Sequence, residues 1–327
     1  MTILIMSDQI NHIQNNFKNL SKRAKILKKL REFFWQQNFL EVETPNIVSL
    51  PGQEPYLSPV NFLINDEKGR QYSAYLHTSP EYTMKKMLAS GFENIFSICK
   101  CFRDKESFGG IHNPEFTMLE WYRVNADFFE IMQDVENLFA SVGDMKNKFQ
   151  RIHMRDLWQK FAGVNLDDYL EKEKMFSLCL DKGFKPSEDE SYEDLFYRIF
   201  LNMIEPQLNG YYIVHHYPAQ MAALAKLSDD ERYAERFEVY VNGIEIANAF
   251  SELTDAKEQK ARLVEERKLR EKLGASVYNI DEDFVDAVDI LPKCAGIALG
   301  VDRLVQVLLG CQNIDNVLVL PASKIFK

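Results

Sequence analysis

The residues best suited to chemistry begin on two neighbouring stretches. In 94–103, read as a strand, alternation places Ser97, Cys99, Cys101 and Arg103 on one face. An arginine ending such a strand, before a polar, glycine-containing loop, can hold a phosphate through its planar fork. A surface salt bridge is the ordinary alternative. In 114–124, also read as a strand, Phe116, Met118, Glu120 and Tyr122 share one parity, with His112 just ahead. An aromatic, a carboxylate and a phenol in one stripe suit a pocket that stacks a base at one end and binds an ammonium at the other. A partly exposed sheet face is the competing reading.

More acids follow. Asn242-Gly243 is the strongest two-residue hairpin signal, flanked by 236–241 and 244–250. If Val241 pairs with Ile244, Tyr240 faces Glu245 and Glu238 faces Ala247. Glu238 and Glu245 are then diagonal neighbours, about 7–8 Å apart at the backbone, and can hold Mg²⁺ against a triphosphate; separate solvation is the commoner case for an arbitrary hairpin. Asn248, Phe250 and Glu252 fall on the opposite parity. All five serve one site only if the strand twists or bulges between Glu245 and Asn248. Arg303 opens a helix just after Gly300 and can reach a phosphate or lie over a base. No Walker A or Rossmann glycine pattern is present, so a bound nucleotide would lie on a sheet, held by arginines.

Other candidates read as structural. His215 and His216 are adjacent on an expected strand, point to opposite faces and cannot both chelate one ion. Cys99 and Cys101 share a strand face as small buried side chains, with no second Cys/His pair at zinc spacing.

These residues need elements to position them. Residues 1–17 read as a flexible N-terminal tail. Ser21 can cap a helix with an apolar stripe of Ile26, Leu27, Leu30, Phe33 and Phe34. Its other face, Lys18 to Arg31, is basic; a solvated face is the ordinary reading, and a docking surface for an acidic partner the alternative. Phe39–Pro45 reads as a short strand, and 76–90 as a helix from Ser79-Pro80-Glu81 onward. Residues 126–210 read as mainly helical, with the acidic 188–194 opening one helix. A charged helix over 254–274, a strand over 295–299 and a helix over 301–310 complete one continuous α+β domain, 18–327.

Composition limits the function. The 327 residues carry a net charge of −10, which opposes general nucleic-acid binding. No apolar run approaches a membrane span, and the N-terminus lacks the features of a signal peptide. Five scattered cysteines fit reduced thiols in a cytoplasmic protein.

The same residues carry a resemblance. Phe39–Pro45 resembles motif 1 of class II aminoacyl-tRNA synthetases, Phe102-Arg103-Asp104 through His112–Tyr122 resembles motif 2, and Gly296–Leu304 resembles motif 3. Arg236-Phe237-Glu238 through Asn248–Leu253 is similar to the lysine-specific part of lysyl-tRNA synthetases. The marks run from about residue 20 to the C-terminus in the family's order. The resemblance implies an antiparallel sheet flanked by helices and a homodimer through motif 1. It makes Arg103 and Arg303 the catalytic arginines, with Arg103 on the α-phosphate and the substrate carboxylate. His112 and Arg303 lie at the γ-phosphate end, and Phe116 stacks on adenine. Glu238 and Glu245 match the Mg²⁺ acids, and Glu81 the acid that receives the backbone-side amine. Glu120, Tyr122 and Glu252 match the group holding the side-chain ammonium. Asn248 matches a carboxylate contact and Phe250 a pocket wall.

With the motif 1 helix starting near residue 20, no anticodon-binding OB barrel is expected. That architecture, the segment Thr78-Ser79-Pro80-Glu81-Tyr82, and Ala298 where lysyl-tRNA synthetases usually have glycine resemble the elongation factor P lysine ligases. This family activates (R)-β-lysine with ATP and Mg²⁺ and acylates a lysine of elongation factor P. The motif 2 loop is one residue longer than usual, with Ile111 at a basic position, and leaves Asp104 and Glu106 as alternatives at adenine. Ala249 stands at a usual glycine. A truncated synthetase that charges tRNA or makes free lysyl-adenylate is the alternative enzyme, and a non-catalytic binding protein the alternative class.

Overall fold

The computed structural model describes residues 7–143 and 148–326. Ser7 caps the first helix, α1 (Asp8–Gln36), by accepting from the Ile10 N–H. The helix therefore starts thirteen residues before Ser21, and 8–17 are helical, which corrects the expected loose tail. Residues 1–6 of that tail lie outside the described residues. Ile26, Leu30, Phe33 and Phe34 are buried on α1. Phe34 stacks on Phe96 at 4.7 Å and lies 5.0 Å from Trp121, tying α1 to the sheet.

The strands are β1 (Leu40–Glu41), β2 (Ile47–Val48), β3 (Asn61–Asn65), β4 (Gln71–Leu76), β5 (Ile95–Phe102), β6 (Glu115–Val124), β7 (Gln150–His153), β8 (Tyr211–Pro218), β9 (Tyr233–Val241), β10 (Ile244–Ser251) and β11 (Cys294–Gly300). Eight form one sheet in the order β1-β5-β6-β11-β10-β9-β8-β7; β2, β4 and β3 form a small second sheet. The large sheet is antiparallel except at its edges, where β1 pairs with β5 and β7 with β8 in parallel. Helices α2 (Glu81–Ala89), α3 (Phe128–Val142), α4 (Met154–Phe161), α5 (Lys172–Asp181), α6 (Tyr192–Ile199), α7 (Ala256–Lys272), α8 (Glu282–Asp289), α9 (Val301–Leu308) and α10 (Ala322–Ile325) complete the fold. This is the α+β architecture expected. No helix among the described residues is long and apolar enough to cross a membrane.

The basic face of α1 is narrower than its sequence implies. Arg23 turns inward, 2.5 Å from Asp302, and donates to Thr117 Oγ1 at 3.0 Å. Arg31 pairs with Glu41 at 2.7 Å. Lys18, Lys22, Lys25, Lys28 and Lys29 remain exposed.

Candidate active site

Alternation along the central strands sorts two faces. Leu119, Trp121, Phe237, Val239, Ala249, Ile297 and Leu299 join the core. Their neighbours Glu120, Tyr122, Arg236, Glu238, Asn248, Gly296 and Ala298 line a cavity of about 650 Å³ on the other face. Strict alternation in β10 would separate Glu245 from Asn248. The register instead shifts between Glu245 and Ala247, so that Glu245 pairs with Tyr240 but Asn248, not Ala247, pairs with Glu238. One extra residue in the strand returns Asn248, Phe250 and Glu252 to the face of Glu245. Both turn residues have positive φ, 51° at Asn242 and 76° at Gly243, as a primed two-residue turn requires.

One end of the cavity is acidic. Buried Glu120 accepts from the Ser79 hydroxyl at 2.8 Å and the Tyr122 hydroxyl at 2.7 Å. Ser79 Oγ accepts in turn from the Glu81 N–H at 3.0 Å. Burial, then the nearby Glu81 charge, push Glu120 well above the usual carboxylate range. One oxygen of Glu252 lies 2.6 Å from Lys85 Nζ, whereas its Oε1 is buried without a hydrogen-bond partner. Burial raises Glu252 to about 7 against the pull of Lys85. Lys85 also lies 2.6 Å from Glu81. Burial opposes its charge, but Glu252 and then Glu81 outweigh it and hold its pKa above the ordinary lysine value. Glu54 and Glu266 line the same cavity, and burial, then Glu54, raise Glu266 to about 8. Among the described residues Lys85 is the one cation paired with any of these five carboxylates, while Arg103, Arg270 and Arg262 act on Glu54 and Glu266 without pairing with them, so a cationic ligand or bound protons would balance the remaining excess. Gly296 keeps the pocket open: a Cβ there would collide with the Tyr122 ring and come within 2.9 Å of Glu252 Oε1.

The other end is held by arginines. The Arg103 guanidinium lies 5.0 Å over the Phe116 ring, and its buried Nε has no hydrogen-bond partner. Arg303 donates to the carbonyls of Ile111 at 3.2 Å and Glu245 at 3.0 Å, and its Nη2 lies 2.9 Å from His112 Nε2. A guanidinium can only donate, so His112 Nε2 accepts and the ring is neutral; burial, then Arg303, lower its pKa accordingly. Asp302 accepts the Thr117 N–H at 2.7 Å and so fixes the start of α9.

Three acids face these arginines. Glu238 accepts from Tyr217 and Tyr240 on Oε2, at 2.6 and 2.5 Å, and from Arg236 on Oε1 at 2.5 Å. Glu245 is more open, 3.6 Å from Arg303, with its side chain 42 % exposed. Shielding by the surrounding protein, then Glu238, raise its pKa. Glu205 follows a π-helical turn, Phe200–Ile204, and is raised to about 7 by burial, then Glu245. The unpartnered Arg103 Nε and this acid excess fit a nucleoside triphosphate with a divalent cation, which Glu245, the more open acid, could hold. Glu238 could reach such a cation through Oε1, which accepts from Arg236 alone.

Ser79, Glu81, Arg103, His112, Phe116, Glu120, Tyr122, Glu238, Glu245, Asn248, Phe250, Glu252, Ala298 and Arg303 thus line one cavity. Asp104 does not. It is exposed and its N–H is bonded to the Ser58 carbonyl at 2.7 Å, while Glu106 takes the cavity position. Ala249 faces the core, so its methyl does not narrow the pocket. His215 and His216 do not face apart. His216 has φ 61° at a register shift in β8, which brings the two Nδ1 atoms to 2.6 Å and stacks His216 on His153. Lys85, Glu54, Glu205 and Glu266 escaped sequence reasoning. Only Lys85 carried a local signal, four residues after Glu81 on one helix.

The sequence profile of the tRNA synthetases class II (D, K and N) matches residues 9–324. The chain belongs to this family. As a class II synthetase-type protein it is an ATP-dependent ligase. It is 38% identical over 313 residues to an elongation factor P–(R)-β-lysine ligase of Avibacterium paragallinarum, covering 93% of this chain and 95% of that one. It is similar to proteins of the same name from Histophilus somni (strain 2336), 39% identical over 315 residues, 93% and 94% covered, and Proteus mirabilis (strain HI4320), 38% over 312 residues, 94% and 95% covered.

Proposed function

We propose that the chain activates (R)-β-lysine, or lysine, with ATP as an acyl-adenylate and transfers it to a lysine side chain of elongation factor P. The observation that carries this reading is the joining, in one cavity, of an arginine-lined end to an acidic end that stops at the unpartnered Glu252 oxygen. The names of the relatives supply the acceptor.

In this reading Glu120 and Glu252 hold the side-chain ammonium, and Glu81 the second amine, which balances the acid excess around Lys85. Asn248 and Arg103 direct the substrate carboxylate toward the α-phosphate. Phe116 and Glu106 flank the base. Arg103 receives the charge that spreads over the α-phosphate, and Arg303, held by neutral His112, receives that of the departing pyrophosphate. Mg²⁺, carried by Glu245 with Glu238, would supply further neutralisation of the triphosphate. The substrate carboxylate oxygen bonds to the α-phosphorus as the bond to pyrophosphate breaks. The neutral amine of the acceptor lysine then attacks the acyl carbon; AMP leaves, the amine loses a proton, and an amide remains. No protein nucleophile is needed.

Trp35, Leu40 and Ile47 are exposed near motif 1 in sequence, and a homodimer through motif 1 would cover them. The lysines exposed along α1 give an otherwise acidic protein a local patch for an acidic acceptor.

ATP–pyrophosphate exchange across amino acids tests the activation step. Exchange should require a lysine-type substrate and Mg²⁺, and Arg103→Ala should lower it by about 2–5 kcal/mol of lost phosphate contact. Exchange with unrelated amino acids, or near-normal exchange by that variant, would refute it.

A further inference from the structure

A second cluster of ligand-type side chains stands beside the cavity and takes no part in the reaction above. His77 follows β4, and Cys99 and Cys101 alternate on β5. Cys101 and His77 are buried, and Cys99 is half-buried. Cys99 Sγ lies 3.9 Å from Cys101 Sγ, which lies 3.9 Å from His77 Nε2. All three ligand atoms fall within 4.8 Å of one another, the one group of three or more such side chains among the described residues that could share an ion.

These spacings are close to those of a tetrahedral zinc centre. Zn–S bonds of about 2.3 Å and Zn–N bonds of about 2.0 Å set S···S edges of about 3.8 Å and S···N edges of about 3.6 Å. Two of the three edges already agree to a few tenths of an ångström. The third edge requires the half-buried Cys99 side chain to rotate, and the His77 ring must turn away from the Lys100 carbonyl, 2.6 Å from its Nε2. We infer that His77, Cys99 and Cys101 form a binding site for a thiophilic divalent cation of the zinc class.

Two soft sulfurs and one imidazole favour this class over Mg²⁺ or Ca²⁺, which take oxygen ligands. On binding, both thiols release their protons to solvent. His77 Nε2, now 2.6 Å from the Lys100 carbonyl, gives up that bond, and its proton moves to Nδ1. The ion would tie the segment after β4 to β5. Ser79 lies two residues beyond His77, and Arg103 two beyond Cys101, so occupancy would brace a residue at each end of the cavity.

The test is titration of the reduced full-length protein with Co²⁺, then displacement by Zn²⁺. One equivalent per chain should produce a thiolate-to-cobalt charge-transfer band that zinc abolishes, and zinc should raise the melting temperature. Cys101→Ser and His77→Gln should each weaken binding by more than the roughly 10–100-fold that loss of an outer partner costs; Cys311→Ser should leave it unchanged. Should Cys101→Ser fail to fold, His77→Gln decides. Absence of the band, its survival in both ligand variants, or fewer than five titratable thiols in freshly purified protein, as a Cys99–Cys101 disulfide would produce, overturns the assignment.

Discussion

Glu252→Gln separates recognition of the amine from binding of the nucleotide. Glu252 is 3 % exposed, with one oxygen 2.6 Å from Lys85 Nζ and the other unpartnered toward the cavity. Glutamine keeps the shape and a carbonyl acceptor but removes the charge. Lys85 keeps Glu81 at 2.6 Å, so the helix α2 contact survives. The substrate ammonium loses a charged partner in a water-poor pocket. Charge-assisted hydrogen bonds exceed neutral ones by about 1–1.5 kcal/mol, and an uncompensated buried charge costs about 2–5 kcal/mol. A net loss of about 2–4 kcal/mol corresponds to a lysine affinity weakened about 30- to 900-fold. ATP binds at the Arg103–Arg303 end and should change by less than about 1 kcal/mol. Calorimetric titration of each ligand, with a thermal melt to confirm folding, measures both. An analogue lacking the side-chain amine should bind variant and wild type nearly equally. Equal losses for ATP and lysine, or an unchanged lysine affinity in a folded variant, would refute the placement of the ammonium.

Three further outcomes follow from the same geometry. Glu252, raised to about 7 in the ligand-free protein, must lose its proton to meet an ammonium, so lysine affinity should rise with pH up to about 7, by at most about tenfold per unit. Proton release, read from calorimetry in buffers of different ionisation enthalpy, should accompany binding below that pH; a flat profile from pH 6 to 8 would contradict it. Ala298 lies between Glu120 and Asn248 in the sheet, where one methyl is worth roughly 1–3 kcal/mol in substrate choice. Ala298→Gly should therefore favour α-lysine over β-lysine by about tenfold or more in exchange, and an unchanged ratio would move that selection to Ser79. Combined charge reversal at Lys22, Lys25 and Lys29 should slow transfer to elongation factor P and spare exchange; equal slowing of both would place those lysines in the fold or a dimer contact.

Much of the cavity was legible because strand alternation is local. Phe116, Met118, Glu120 and Tyr122 could be put on one face from spacing alone, and the Asn242-Gly243 turn set the first pairs of its hairpin. The bulge after Glu245 was not legible: it depends on packing Ile246 and Ala247 into the core, which no local pattern states. Asp104 and Glu106 could not be separated, because the loop's course is set by the Asp104 N–H on the Ser58 carbonyl and the Arg303 side chain on the Ile111 carbonyl. Glu205 and Glu266 arrive from helices distant in sequence. The Cys99–Cys101 pair reads as core filling from the sequence, and only the fold brings His77 beside it, just after β4. The start of α1 was misplaced because Ser7 and Ser21 are equal capping candidates by type, and only the neighbouring packing, such as His12 on the Leu318 carbonyl at 3.1 Å, favours the earlier one.

The central claim is the identity of the acceptor, and intact-mass analysis of elongation factor P tests it most directly. The protein, ATP, Mg²⁺ and (R)-β-lysine are incubated with unmodified elongation factor P and, in parallel, with tRNA. The account predicts one added lysyl group on elongation factor P, stable to mild base as an amide is, and no charged tRNA. Charged tRNA with unmodified elongation factor P would contradict it.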